Sequence, residues 1–162
     1  MSPSSSSSAL TDQMLLDAVA KAARAAQVFG EVTASGARVE CAAANSEDEA
    51  FYRFDLDASG ASVSLVTAAR YLSQSIEADL VNSGDKLDDL LSDELTDAGY
   101  DGPALRVDHF RDPQKLFTFR TPLPLSKAQL HTPAGAETVH RVLIAYEACF
   151  RELGGMNAGN ED

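Results

Sequence analysis

Phe51-Tyr52-Arg53-Phe54-Asp55-Leu56-Asp57-Ala58-Ser59-Gly60-Ala61-Ser62-Val63-Ser64-Leu65-Val66 is the stretch on which the fold turns. From Phe51 to Asp57 the side chains alternate: Phe51, Arg53, Asp55 and Asp57 share one face, and Tyr52, Phe54 and Leu56 share the other. A period of two is the mark of a strand with one buried face. Ala58-Ser59-Gly60 suits a hairpin turn, and Ala61–Val66 reads as the return strand. The centre of the chain is therefore an antiparallel hairpin.

Toward the amino terminus, Arg38–Ala43 and Val32-Thr33 read as strand-like pieces around the turn Ala34-Ser35-Gly36, and Asn45–Glu49 is a polar acidic loop. Before them Leu15, Val19, Ala22, Ala26 and Phe29 recur at helical spacing. Thr11-Asp12 can cap that helix, and Gly30 is a suitable residue to end it. Toward the carboxyl terminus the spacing predicts a change from strand to helix between Val66 and Arg70, with Leu72, Ile76 and Leu80 on the apolar stripe. Asn82-Ser83-Gly84-Asp85 breaks it. Leu87, Leu90, Leu91 and Leu95 then line a second helix that Gly99 ends.

Two more strands are predicted at Ala104–Phe110 and Leu116–Thr121, joined by a turn at Arg111–Lys115 where Pro113 fits and a central strand would not. Thr132-Pro133 is a cap followed by proline at the first helical position. Val139, Val142, Leu143, Tyr146, Cys149, Phe150 and Leu153 form the stripe of a long last helix, stopped by Gly154-Gly155. The order is helix, three strands, one or two helices, two strands, helix. It predicts an α+β single domain over residues 11–155, an antiparallel sheet covered by helices. A disordered serine-rich start (1–10) and a flexible tail (156–162) flank it.

The chain has 162 residues, with 13 Lys+Arg against 25 Asp+Glu and a net charge of −12. A hydrophobic fraction of 44% is too high for an acidic disordered chain. The acidity argues against nucleic acid and anionic membrane as partners, since those contacts need clustered Lys and Arg. The charge is uneven. Residues 77–101 hold nine acids and one base, while 103–153 hold seven bases and five acids. One helical region thus carries two-thirds of the net charge, which suits either a solvated face or an electrostatic guide for a basic partner. Neither a secretory signal nor an 18-residue apolar run is present, so a cytoplasmic protein is expected.

Motifs for chemistry are sparse. Asp55-x-Asp57-x-Ser59-Gly60 resembles the start of a calcium loop, but its twelfth position is Val66 where a bidentate Glu belongs. A metal protein or small enzyme using Asp55, Asp57 and a histidine is the alternative that this motif supports. His109, His131 and His140 show no metal spacing, and no Gly-x-Ser-x-Gly elbow or phosphate cradle occurs. Cys41 and Cys149 lie among apolar residues and read as buried thiols. No enzyme activity, catalytic residue, cofactor or metal is therefore expected. Phe117 and Phe119 share one face of the last strand, which is either core or a surface for an extended peptide.

One stretch carries a resemblance: Arg106-Val107-Asp108-His109-Phe110-Arg111-Asp112-Pro113-Gln114-Lys115-Leu116-Phe117-Thr118-Phe119-Arg120-Thr121-Pro122-Leu123-Pro124-Leu125. A penultimate strand, an Asp/Pro turn and a last strand with a proline–leucine exit precede a long final helix. With the element order, this resembles the type III secretion chaperone-like fold, which includes YbjN-like and uncharacterised bacterial, notably cyanobacterial, proteins. The resemblance implies a homodimer that binds segments of other proteins. The expectation is a chaperone-like or regulatory protein-binding domain, or equally an assembly factor for one complex, with acidic rims steering basic clients. Phe117 and Phe119 are the candidate client contacts, and Leu87, Leu90 and Leu91 the candidate dimer or client contacts.

Overall fold

The computed structural model describes residues 11–44, 49–58 and 60–153. Its elements run α1 (Asp12–Ala26), β1 (Phe29–Ser35), β2 (Arg38–Ala43), β3 (Ala50–Asp57), β4 (Gly60–Thr67), α2 (Arg70–Ser83), α3 (Leu87–Asp97), β5 (Asp108–Arg111), β6 (Phe117–Pro122), α4 (Lys127–Leu130) and α5 (Pro133–Phe150). The α+β class and the antiparallel, helix-packed sheet follow the sequence pattern. Four strands rather than three precede the middle helices, because Phe29–Ser35 forms a strand of its own. The serine-rich start (1–10), residues 45–48 of the acidic loop 45–49, the turn residue Ser59, the glycine stop at 154–155 and the tail (156–162) lie outside the described residues.

The six strands form one antiparallel sheet in the order β1-β2-β3-β4-β6-β5. Tyr52 faces Leu65 and Phe54 faces Val63 across the central hairpin, and all four are buried. Their face is covered by α1 and α5, and α3 packs on α5. Leu15, Leu16 and Val19 of α1 meet Val139, Val142, Leu143 and Phe150 of α5 in one continuous core with the sheet. Thr121 of β6 and Tyr146 of α5 share a buried hydrogen bond of 2.6 Å, which satisfies both hydroxyls and fixes the last helix to the sheet.

Two boundaries differ from the sequence reading for local reasons. Helix α1 ends at Ala26, not near Gly30. Gln27 takes the left-handed conformation and its N–H bonds to the Arg24 carbonyl. Gly30 instead sits in β1, where the register shifts between Phe29 and Val32 and a Cβ would come within 3.3 Å of the Ala42 Cβ. Strand β5 begins at Asp108 rather than Ala104, because the Val107 N–H bonds to the Asp88 carboxylate of α3 and not to a strand. No helix among the described residues is long and apolar enough to cross a membrane.

Candidate functional site

The acidic stretch of the sequence folds around a crevice. Helix α2 stops at Gly84, whose positive φ of 77° lets the chain turn at once into α3. Leu91 and Leu95 of α3 are buried in the core, which leaves the next face of the helix open. Between α2, α3 and the end of α5 lies a cavity of about 700 Å³. Its apolar lining is Leu90, Ala148, Cys149 and Leu153. Its carboxylates are Asp79 from α2, Asp85 from the connection, Asp93 and Glu94 from α3, and Glu152 beyond α5. No Lys, Arg or His is among the described lining residues. Asp79, Asp85, Asp93 and Glu152 are exposed and form the rim, while Glu94 is half-buried.

Other acids of this stretch have partners of their own. Asp88 accepts the Val107 N–H, and Asp88 and Asp89 sit in the first turn of α3, where negative charge is favourable. Glu77 pairs with His109 at 2.9 Å. The field of the crevice reaches inward as well. Burial, reinforced by the Glu94 charge, pushes the Cys149 thiol up to about 12. Glu147 is likewise held above the usual carboxylate range, mainly by burial, despite Arg151 at 3.6 Å.

Both cysteines are free and buried, and burial pushes Cys41 up to about 12 too. Since only the thiolate reacts, the folded protein is expected to leave both thiols unmodified by a disulfide reagent at neutral pH. Both should react once guanidinium unfolds the chain. Rapid modification of Cys149 in the folded state would show that the crevice opens more deeply than this packing allows.

The candidate contact residues separate in the fold. Phe119 is 1% exposed, stacked on His109 at 3.9 Å and tilted against Phe150 at 5.1 Å. Leu91 is fully buried. These two side chains serve the core of the single chain. Phe117 is half-buried, with the Arg111 guanidinium 5.2 Å above its ring. Leu87 and Leu90 are half-buried, and Leu90 reaches the crevice. The structure thus brings one of the five to the acidic cavity.

Asp55 and Asp57 lie on the opposite face of the sheet. Asp55 is bonded to Arg38 at 2.6 Å, and Asp57 is 3.9 Å from Arg120. Arg53 pairs with Glu40 at 2.7 Å on the same face. The trough there, about 760 Å³, is lined by strand and loop side chains with Ser62, Ser64 and Thr118 among them. His109 bonds to Glu77 and Ser73, and His131 to Asp12, so neither joins the two aspartates. No group of three potential metal ligands occurs among the described residues. The His131 bond, at 2.6 Å, is also what holds the Asp12 carboxyl below its ordinary range.

One constellation is invisible to short-range sequence reading: Ser73 and Glu77, four apart on α2, both bond to His109 of β5. The helical spacing of the first two is legible, but their shared partner lies 36 residues beyond Ser73. No family model, curated protein or solved structure matches the chain.

Proposed function

We propose that the chain is a protein-binding domain, chaperone-like in mode, that takes basic amphipathic segments of partner proteins into the acidic crevice. The observation that carries this reading is a cavity with five carboxylates and an apolar lining. The carboxylates attract a basic segment at long range and discriminate against acidic ones. Leu90 and Ala148, both half-buried, offer apolar surface on which the partner's own apolar side chains are taken out of water. A secretion client, a regulated protein and a subunit under assembly would all be held by this chemistry, and they differ only in the protein that supplies the segment.

Anisotropy of a labelled Leu/Lys helical peptide, compared with a Leu/Glu peptide of equal length, tests the reading. Binding is expected for the basic peptide alone and should weaken as salt rises. Reversing Asp93→Lys and Glu94→Lys together should weaken it about tenfold, the sum of two partly screened charge effects of about 0.7 kcal/mol each. Equal affinity for both peptides, or indifference to the double reversal, would remove the crevice from consideration. A reversal-sensitive complex of two copies of the chain would assign the crevice to dimerisation instead.

A further inference from the structure

The Ser73–His109–Glu77 cluster sits apart from the crevice and goes beyond the binding reading. The Glu77 carboxylate lies 2.9 Å from Nδ1 of His109 and the Ser73 hydroxyl 3.2 Å from Nε2. A carboxylate can only accept, so the imidazole proton is on Nδ1, and Nε2 of the neutral ring accepts the Ser73 O–H. The plane of the ring is fixed by its stack on Phe119, at 3.9 Å and 11°. This is the order of groups that makes a serine hydroxyl nucleophilic: hydroxyl, base, and a carboxylate that orients the base.

The surroundings add a place for a substrate. Ser73, Glu77 and His109 line an open cavity of about 390 Å³, together with Arg70, Gln74 and Arg111. Ser73 is only 2% exposed, and it is among the residues that line that cavity. Arg70 and Arg111 are not paired with any carboxylate among the described residues, although the chain carries a net charge of −12. Two such cations lining the same cavity as the hydroxyl favour an anionic ligand.

We infer that Ser73, His109 and Glu77 form a nucleophilic serine site that cleaves carboxylic esters bearing an anionic group. The Ser73 oxygen bonds to the acyl carbon as its proton passes to Nε2 of His109, while Glu77 holds the Nδ1–H. The bond to the alcohol then breaks, and His109 returns the proton to the departing oxygen. Water, deprotonated by the same nitrogen, releases the acid and restores Ser73. Arg70 and the Gln74 amide are the donors available to the transient oxyanion, and Arg111 holds the anionic group of the substrate.

A fluorophosphonate probe on the full chain, with mass spectrometry of the labelled peptide, tests the nucleophile. One label on Ser73 is expected. His109→Gln should slow labelling at least about 100-fold, as loss of a general base does, and Glu77→Gln should slow it while leaving the ring in place. Ser75→Ala, outside the cluster, should label as the wild type does. An unlabelled wild type, or a label on another residue, would overturn the proposal without recourse to any variant. The charge preference is read separately: mono-p-nitrophenyl succinate should be hydrolysed faster than p-nitrophenyl acetate, and Arg111→Gln should erase the difference. Equal rates on the two esters would overturn the assignment of anionic substrates.

Discussion

Phe119→Ala should lower the unfolding free energy by about 4 kcal/mol, within the range for emptying a buried aromatic site. That is a large share of the roughly 5–15 kcal/mol that holds a domain folded. The side chain is 1% exposed and touches two layers at once, His109 of β5 on one side and Phe150 of α5 on the other. Neither neighbour can follow it into the gap: Phe150 is tied to Tyr146 in the same cluster, and His109 is held by Glu77 and Ser73. The urea midpoint should fall with an unchanged slope, and the melting temperature should drop by about 10 °C. Phe119→Leu keeps most of the volume and should cost about 1–2 kcal/mol. A loss below about 1 kcal/mol for the alanine variant would place Phe119 outside the core and return it to the docking surface suggested by the sequence.

A second large effect is expected at Gly135, and its sign is the test. Gly135 lies in the first turn of α5, where its N–H bonds to the capping Thr132 hydroxyl at 3.0 Å. In an ordinary helix interior, alanine is favoured over glycine by about 1 kcal/mol. Here a Cβ would fall on the Gln129 carbonyl, a backbone group held in place by the Thr132 hydroxyl at 2.7 Å. Gly135→Ala is therefore expected to destabilise by about 2–3 kcal/mol, the cost of overpacking a rigid site. Ala136→Gly, one position on, should cost only about the ordinary helix difference. Denaturant unfolding of both variants decides it: a neutral or stabilising Gly135→Ala would mean that α4 and α5 separate easily.

The sequence and the structure agree where a pattern is local and repeated. The alternation from Phe51 to Asp57 gives the two faces of β3, and the stripe from Val139 to Phe150 gives the buried side of α5 with its threonine cap and N1 proline. They part where a long-range partner decides. Gly30 has the chemistry of a helix stop but serves close strand approach. Ala104–Val107 has the residues of a strand but finds its backbone partner in the side chain of Asp88. Phe117 and Phe119 share a face in sequence, yet the edge of the sheet leaves Phe117 half-buried while His109 and α5 enclose Phe119.

By itself, the sequence determined the α+β class, the central hairpin, the free thiols' apolar setting and the gathering of negative charge between residues 77 and 101. Each of these depends on residue type at short spacing, and such spacing maps directly onto strand and helix periods. The tertiary structure alone decided which acids face a shared cavity and which are taken up by Val107 and His109. It also decided that Ser73 and Glu77 converge on one imidazole. Those outcomes depend on how α2 lies against β5, a relation between elements far apart in the chain. Burial and contact across such a distance are set by packing of the whole core, which no local pattern records.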